Sequence, residues 1–453
     1  PMERGIIPAE QESLKVKRTE KRALLKGLLK ELAALRAANP GKEFPIEEAM
    51  CDRLEAEQLE CKVAMNTMYG KLGSKDDKFF RIAISSDVTQ TGQEYLYLVI
   101  EFLKSRGWVR IRYGDTDSVY AEPPSHLFDD LYHLYFSEQI SREDFAARMT
   151  DRAISLGREM GNAINTHLRE TGSDFMKMEC EGAHFPNIFI RQKRNATRLH
   201  GENTGFRADF NAAGNRNPKY FHCTGIAWKK DKAASALFRE LSSEATFRLL
   251  DINNTKAAAD VIRDIVHEAY AKAEANQFPP DYFIQRATRK PEKDNVRVIN
   301  FFERLKRAGR NPPRDYEKFE YVNVRRDDIE FNNEGCKNAV SAADYMELYS
   351  YVVEHKLPID FSKYMHGEIC NELAQYLCCD PRYNAQSVDD SAEAIGAAQE
   401  ASLVIGKKYV NELCDEAAGT LTTAIKKPVY TAIRNHALSY IKNTIPLIGS
   451  LTR

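Results

Sequence analysis

Apolar residues near the start of the chain recur with the three- and four-residue spacing of an amphipathic helix. This pattern covers residues 14–36, which are rich in Leu, Ala, Lys and Glu. The string ANPGKEFP then interrupts it, because proline and glycine break helices, and a second helical pattern runs from Ile46 to about Tyr69. The two patterns predict a hairpin of long antiparallel helices. A third, mostly helical segment is predicted from Phe79 to Phe102.

The segment after Gly107 changes to the period of a half-buried strand. Val109, Ile111 and Tyr113 alternate with two arginines. A second strand pattern, SVYAE, follows the string GDTD, so residues 108–122 are predicted to form a β-hairpin with GDTD at its tip.

The rest of the chain predicts helices with a few more strands. A helical stretch is expected from about Leu127 to Arg169, and strands are expected at Phe175–Met178 and Ile188–Arg191. Residues 200–224 are rich in Asn and Gly and are predicted to be a loop, and the remainder is mainly helical. The pattern as a whole predicts an α+β fold.

Charge is balanced overall and uneven along the chain. The 453 residues are enough for two or three domains, and 65 Lys+Arg against 66 Asp+Glu argue against a simple basic nucleic-acid-binding module. Basic residues concentrate between Arg191 and Lys232 and again between Arg286 and Arg310. One such run is equally well explained as a solvated face, but two in series favour a track for a polyanion.

The nine cysteines are scattered without metal-binding spacing, which predicts reduced thiols in an intracellular protein. No apolar run approaches the roughly 20 residues of a membrane span, so no membrane partner is expected. The chain starts at Pro1 in the middle of a pattern, which suggests a fragment of something longer.

The string YGDTDSVY brings two carboxylates, Asp115 and Asp117, into a small volume at the hairpin tip. Like charges that close repel each other unless a cation lies between them. Carboxylate oxygens suit Mg²⁺ or Mn²⁺, which recruit water and phosphate oxygens as further ligands. The pattern therefore indicates two-metal phosphoryl or nucleotidyl transfer. A bare D-x-D is more often only a turn.

Set between two strands, the full string YGDTDS resembles motif C of family B DNA polymerases. The resemblance implies that Asp117 ligates the metal directly and that Asp115 is the assisting carboxylate. This family transfers nucleotides from deoxynucleoside triphosphates to a primer 3′-hydroxyl, so two Mg²⁺ ions, with Mn²⁺ as an alternative, are implied as cofactors.

An independent similarity lies upstream. Lys62 and Asn66 share one helix face, with Tyr69 a turn further on, and their spacing K-x-x-x-N-x-x-Y-G looks like motif B of the same family, with Thr in place of the usual Ser. A Lys, an amide and an aromatic ring suit a triphosphate and a base. Arg18 and Arg22, which follow GIIP, resemble the basic pair of the family's first fingers helix and would meet the β- and γ-phosphates.

Downstream similarities concern DNA. Lys193 and Arg194 resemble the basic element that holds the primer end, although the residues on either side depart from the family pattern. Glu179 nearby would either tune the metal site or be a solvated carboxylate. Lys229 and Lys230 follow a Gly-Ile pair that is similar to the start of the thumb. A last group would face the duplex backbone: Arg304, Lys306, Arg307 and Arg310.

One string mimics the family's motif A, the source of another metal-binding aspartate. It begins at Asp344 and reads DYMELYS, but it follows motif C and lacks the expected proline. Asp344 is therefore expected to be a helical surface residue. Motif A and the exonuclease domain lie upstream of the fingers in the family, so the chain is expected to be incomplete on its own.

The resemblance divides the chain into residues 1–70, the fingers helices ending in motif B, residues 71–199, the palm with motif C, and residues 200–453, the thumb with a C-terminal tail that the resemblance does not cover. It implies helical-hairpin fingers, an antiparallel-sheet palm and a mainly helical thumb.

The implied partners are primer-template DNA, deoxynucleoside triphosphates and the upstream palm and exonuclease portion, with a processivity factor as a further candidate. A large DNA virus is the suggested source, and the nucleus or a viral replication compartment the suggested location. Two alternatives stay open: a non-catalytic DNA-binding subunit derived from a polymerase, and an unrelated divalent-metal nuclease.

Overall fold

The computed structural model is mostly helical with small antiparallel sheets, which confirms the α+β prediction. It describes residues 5–39, 41–173, 176–201, 221–231, 233–325, 342–385 and 392–419. The chain forms two compact units. The first is Pro1–Phe102 with Thr116–Val119, and the second is Leu103–Asp115 with Tyr120–Arg453.

Three helices make up most of the first unit: α1 (Ile6–Ala38), α2 (Pro45–Gly73) and α3 (Ile82–Ser105). All three were predicted, and α1 and α2 extend beyond the predicted bounds. Proline at the first position of α2 suits a helix start, since its missing N–H has no partner there in any helix.

The least exposed residues of α1 and α2 recur every three and four positions, the spacing of a coiled-coil seam. Leu32, Phe44 and Cys51 form the apolar end of this seam. At the other end the amide of Gln11 donates to the backbone carbonyl of Met65 at 3.1 Å. The seam residues of α1 are Gln11, Leu14, Arg18, Lys21, Leu25, Leu28 and Leu32, and those of α2 are Cys51, Leu54, Gln58, Cys61, Met65, Met68 and Leu72.

The predicted hairpin is confirmed as β1 (Arg110–Asp115) and β2 (Ser118–Glu122). The helical stretch expected after it is confirmed as two helices, α4 (Asp129–Phe136) and α5 (Arg142–Glu170). The division follows from local chemistry: the Ser141 hydroxyl accepts from the backbone N–H of Asp144 at 3.0 Å and so caps α5.

A three-stranded antiparallel sheet follows, formed by β3 (Ala183–Arg191), β4 (Arg194–His200) and β5 (Phe221–Thr224) in that order. The strand predicted at residues 188–191 is part of β3, whereas β5 falls in a region predicted to be a loop, most of which lies outside the described residues.

The strand predicted at residues 175–178 is wrong for its described part. Both backbone groups of Met178 are taken by the side-chain amide of Asn165, at 2.7 and 2.8 Å, so they are not used in a strand ladder.

Helices α6 (Ala227–Lys230), α7 (Ala236–Leu249) and α8 (Ala258–Glu274) come next. They lead into a second antiparallel sheet, which the sequence did not predict, of β6 (Gln285–Thr288), β7 (Lys318–Asn323) and β8 (Met346–Leu348).

Helix α9 (Val296–Arg307) packs on the second sheet through Phe301 and Leu305, which contact the buried Phe319 and Met346. The short helix α10 (Ala342–Tyr345) leads into β8 and contains Asp344, which is half-buried. Asp344 is therefore helical, as expected.

Among the described residues, the largest hydrophobic core joins α7 and α8 to the four helices that follow β8. These are α11 (Tyr349–His355), α12 (Phe361–Tyr364), α13 (Cys370–Tyr376) and α14 (Ala392–Ala417). Helix α14 lies in the tail that the sequence left unplaced, and its Val410, Leu413 and Cys414 are buried in this core. Among the described helices, none has the length and apolar character that crossing a membrane requires.

Candidate functional site

The hairpin tip carries the two carboxylates as predicted. Asp115 ends β1, and Asp117 is exposed between the strands. Thr116, between them, has a φ of +57°, a left-handed conformation that β-branched residues seldom adopt. Backbone strain of this kind concentrates at functional sites, and here it lies between the two acidic residues of interest.

The side chain of Asp115 is held by two residues. The Tyr113 hydroxyl donates to its Oδ2 at 3.2 Å, and the ammonium of Lys193 lies 3.5 Å from its Oδ1. The backbone N–H of Lys193 donates in turn to the Tyr113 hydroxyl at 2.8 Å. A cation therefore already neutralises part of the negative charge of this carboxylate.

Aromatic rings pack the hairpin against β3. Tyr113 and Tyr120 lie 5.8 Å apart between ring centroids, and both contact Phe189 of β3, at 5.7 and 5.4 Å. Tyr120 also meets the ring of His184 edge-on at 4.9 Å. Burial raises the pKa of Tyr120, so this phenol stays protonated at neutral pH. The packing attaches β1 and β2 firmly to β3.

The donor set at the tip fits a hard divalent cation in part. Carboxylate oxygens are the ligands that Mg²⁺ prefers, and Asp115 and Asp117 would supply two of them. Across the described ranges, no three or more His, Cys, Asp or Glu side chains converge into a metal-binding group. Glu179, expected either to tune the metal site or to be a solvated carboxylate, forms an exposed ion pair with Lys177 at 2.7 Å.

In the first unit, α1 and α2 present most of the predicted nucleotide-binding residues to solvent. Arg22, Lys62 and Asn66 are exposed. Tyr69 is also exposed, and its hydroxyl is 2.8 Å from the hydroxyl of Thr89, a hydrogen bond that lowers the Tyr69 pKa.

Arg18 differs from these residues because it belongs to the seam between the helices. Its Nε donates to the side-chain carbonyl of Gln58 at 3.2 Å, and one turn further Lys21 forms an ion pair with Glu57. The four donors that the sequence predicted for a nucleotide on α1 and α2 are Arg18, Arg22, Lys62 and Asn66. Three are exposed, while the guanidinium of Arg18 already has a protein partner.

Arg194 is likewise engaged within the protein. Its side chain is 20% exposed, and its Nε donates to the backbone carbonyl of Gly225 at 3.0 Å. Its Nη1 donates to the Gln375 side chain on α13. Lys229 donates to the backbone carbonyl of Phe221 at 3.3 Å. The side chain of Lys230 lies outside what the structure describes.

The basic residues of α9 divide into two sets. Lys306 and Arg307 are exposed. Arg304 instead lies 3.4 Å from the carboxylate of Glu347, a residue that is 3% exposed, and also donates to the backbone carbonyl of Met346. Arg304 is thus held by a buried acid that also pairs with Arg310, and the duplex contact expected for Arg304 stays a prediction.

Four residues that matter to these arrangements were missed at the sequence level: Tyr113, Gln58, Glu347 and Gln375. Gln58 had a local signal, since it occupies a seam position of α2. The others contact partners far away in sequence. Tyr113 and Lys193 are 80 residues apart, and Arg194 and Gln375 are 181 apart.

Comparison with known proteins places these observations in context. The family model described as DNA polymerase family B matches residues 6–142 and 143–379. A DNA polymerase beta of African swine fever virus (isolate Tick/Malawi/Lil 20-1/1983) is 26% identical over 398 residues, which are 83% of this chain and 32% of the relative. The DNA polymerase delta catalytic subunit of Mesocricetus auratus is 24% identical over 336 residues, 71% of this chain and 26% of the relative.

Among solved structures, that of the family B DNA polymerase from the hyperthermophilic archaeon Pyrobaculum calidifontis is similar at 17% identity and a TM-score of 0.49. The similarity covers 83% of this chain and 38% of that one. The chain spans less than a third of the length of the two curated relatives above.

Proposed function

The chain belongs to DNA polymerase family B, and from that membership we propose that it takes part in template-directed DNA synthesis. In the proposed reaction the 3′-hydroxyl of a primer attacks the α-phosphate of a deoxynucleoside triphosphate. A new phosphodiester bond forms, the bond to pyrophosphate breaks, and the hydroxyl loses its proton. The observation that carries the proposal is the pair Asp115 and Asp117 on either side of the strained Thr116.

In this proposal Asp117 is the direct metal ligand and Asp115 the assisting carboxylate. Two Mg²⁺ ions, or Mn²⁺, would supply the charge that activates the primer hydroxyl and stabilises the pyrophosphate. The protein would hold Asp115 in place through Tyr113, whose hydroxyl donates to it at 3.2 Å. Lys193, 3.5 Å from Asp115, would limit the repulsion between the two acids before cations bind.

The nucleotide is proposed to bind along one edge of the α1–α2 pair. Arg22 and Lys62 directly follow the seam residues Lys21 and Cys61. Each heptad has two seam positions, and Lys21 and Cys61 are both the second of their heptad. In an antiparallel pair, the residue directly after this position lies on the same edge in both helices. Asn66 lies one turn beyond Lys62, further out on that edge. Exposed cations from two helices can thus meet one triphosphate from two sides.

Arg18 has a different part in this proposal. It lies in the seam, where Gln58 accepts its Nε–H. Its other guanidinium nitrogens would bind the phosphates. Gln58 would orient the guanidinium, because an Arg held by one hydrogen bond loses less conformational entropy when it binds phosphate. Tyr69 would pack against the base or sugar.

Duplex contacts are proposed for basic residues of the second unit, of which Lys193, Lys229, Lys306 and Arg307 are exposed. Lys306 and Arg307 on α9 are the strongest candidates, with Lys193 near the primer end and Lys229 and Lys230 at the start of the thumb. These contacts would be sequence-independent and sensitive to salt. Arg304 is left out, since Glu347 holds its charge inside the protein.

Residues 1–70 would be fingers, 71–199 palm and 200–453 thumb. An upstream palm and exonuclease portion would contribute the third carboxylate, because two carboxylates are fewer than a two-metal site uses. A processivity factor is a further candidate partner. Such an enzyme would work in the nucleus or in a viral replication compartment.

Primer extension tests the proposal. The longest reading frame that contains these residues is assayed on a primer-template with four deoxynucleoside triphosphates, as wild type, as Asp117→Ala and as Asp52→Ala. Asp52 is an exposed carboxylate of α2 and serves as the control. Asp117→Ala is expected to abolish extension and leave primer-template binding intact, whereas Asp52→Ala should extend normally.

Two results would replace the proposal with one of its alternatives. Wild-type protein that binds primer-template tightly but never extends it would be a non-catalytic DNA-binding subunit. Degradation of DNA without added nucleotide, lost in Asp117→Ala, would indicate a metal-dependent nuclease. Extension that survives Asp117→Ala would refute the catalytic assignment.

A further inference from the structure

The turn between β3 and β4 touches the carboxylate hairpin on one side. Lys193, in this turn, has a φ of +58°, which aims its backbone N–H at the Tyr113 hydroxyl, 2.8 Å away. Because that hydroxyl accepts from Lys193, its own proton is directed to Asp115, at 3.2 Å. The two hydrogen bonds therefore run in one direction, from the Lys193 N–H to the Tyr113 hydroxyl and from that hydroxyl to Asp115. The backbone of Lys193 thus orients Tyr113, and Tyr113 orients the carboxylate.

The next residue fastens the same turn to α13. Arg194 donates through Nε to the carbonyl of Gly225 at 3.0 Å and through Nη1 to Gln375, and its Nη2 is 3.9 Å from the carboxylate of Glu372. The Glu372 side chain is 5% exposed, and burial raises its pKa while the Arg194 charge opposes that rise. A guanidinium with three protein partners is poorly placed to hold a DNA phosphate.

Gly225 closes the turn from the opposite side. Its φ is +65°, and a Cβ added there would lie 2.1 Å from the carbonyl oxygen of Lys193, a distance that no side chain can occupy. The backbone of Gly225 therefore lies directly against the turn. Lys193 and Arg194 are thus confined by β1, by the residues after β5 and by α13.

We propose that this turn is a bracket that fixes Asp115 relative to α13, with Tyr113 and Arg194 as positioning residues. This proposal rests on the proposed function, because the position of Asp115 affects catalysis only if Asp115 is the assisting carboxylate. It assigns Arg194 a role inside the protein in place of the primer contact expected from sequence.

The first test removes only the Tyr113 hydroxyl. Tyr113→Phe is expected to lower kcat for primer extension by about ten- to a hundredfold, the effect of one hydrogen bond to a charged group, and to change the KM for nucleotide little. The Mn²⁺ concentration that half-saturates the protein, measured by electron paramagnetic resonance without nucleotide, should rise. Tyr120→Phe, in the adjacent ring, is the control and should leave both values near wild type.

The second test separates a bracket from a DNA contact. Arg194→Lys keeps the positive charge but loses the forked geometry that reaches Gly225 and Gln375, and Gln375→Ala removes the partner on α13. Both variants should lower kcat, and the double variant should be no worse than the more damaged single one, because both remove one interaction. The salt dependence of primer-template affinity should stay at the wild-type slope.

A DNA contact predicts the opposite pattern. Removing Arg194 altogether, as in Arg194→Gln, would then flatten the slope of log affinity against log salt by about 0.9, as expected for one lost phosphate contact. That result, normal kcat in Tyr113→Phe, or independent effects of Arg194→Lys and Gln375→Ala would each overturn the bracket. Absence of extension in the wild type would refute the proposed function alone, because the Mn²⁺ and salt measurements do not require turnover.

Discussion

The carboxylate of Glu347 on β8 accepts hydrogen bonds from both terminal nitrogens of the Arg310 guanidinium, at 2.9 and 2.8 Å. Arg304 approaches the same carboxylate at 3.4 Å. Two cations from a run that looks like a basic DNA-binding surface thus share one acid that is 3% exposed. The run therefore serves two purposes, because part of it holds α9 to the second sheet and part of it remains exposed.

Glu347→Ala should destabilise the protein strongly. Two half-buried guanidinium groups would lose the carboxylate that they share, and breaking a buried ion pair from one side costs about 3–5 kcal/mol. Chemical unfolding of the purified protein measures the loss. Glu320→Ala is the matched control, since Glu320 pairs with Arg286 at 2.9 Å on the surface and should cost less than about 1 kcal/mol. Equal losses in the two variants would contradict the importance assigned to burial.

Lys62→Ala should raise the KM for deoxynucleoside triphosphate in primer extension by about tenfold or more, because a charge-assisted contact to phosphate is lost. Lys71, also exposed on α2, precedes the seam residue Leu72 and so lies on the opposite edge of the helix pair. Lys71→Ala should leave this KM unchanged. If both substitutions raise the KM alike, the effect is one of general charge and not of a defined edge.

Acid should lower the free energy of unfolding because His184 becomes protonated. This ring contacts Tyr120 and lies 3.1 Å from the Thr197 hydroxyl, and burial, with smaller effects of His222 and His200, lowers its pKa from 6.5 to about 4. His184 therefore binds a proton less readily in the folded protein than in the unfolded chain. The corresponding stability is present above pH 6.5 and is lost as the pH falls toward 4, about 3 kcal/mol in all.

Unfolding free energies measured between pH 7 and 4 check this expectation. In His184→Gln the free energy of unfolding should depend less on pH, since the glutamine side chain does not titrate in that range. His133→Gln, at an exposed position of α4, should keep the wild-type dependence. A wild-type slope in His184→Gln would show that other groups cause the acid sensitivity.

Two glycines of α14 should respond oppositely to alanine. A Cβ at Gly406 would lie 2.7 Å from the backbone carbonyl oxygen of Ala374, so Gly406→Ala must push α14 away from α13, at a cost of about 1–3 kcal/mol. A Cβ at Gly396 meets nothing within 4 Å. Gly396→Ala should therefore stabilise the helix by about 0.5–1 kcal/mol. Thermal unfolding of the two variants, compared with wild type, measures the difference, and a loss in both would mean that α14 does not pack as described.

The sequence alone determined the features that depend on neighbours within a few turns. Helices α1, α2 and α3 follow from apolar periodicity, and the hairpin follows from alternation on both sides of GDTD. The family followed from motifs short enough to be recognised locally. These features need no long-range information, because the backbone geometry that repeats every 3.6 or 2 residues also sets the pattern of side chains.

Only the tertiary structure decided which charged residues are available to a ligand. Nothing local distinguishes Arg304 from Arg307 or Arg194 from Lys193, since all are cations in basic runs. Their difference comes from Glu347 and Gln375, which lie 43 and 181 residues away and meet them only once the sheets and helices have packed. A charge run specifies how many cations a surface could carry, whereas packing specifies which of them already have partners within the protein.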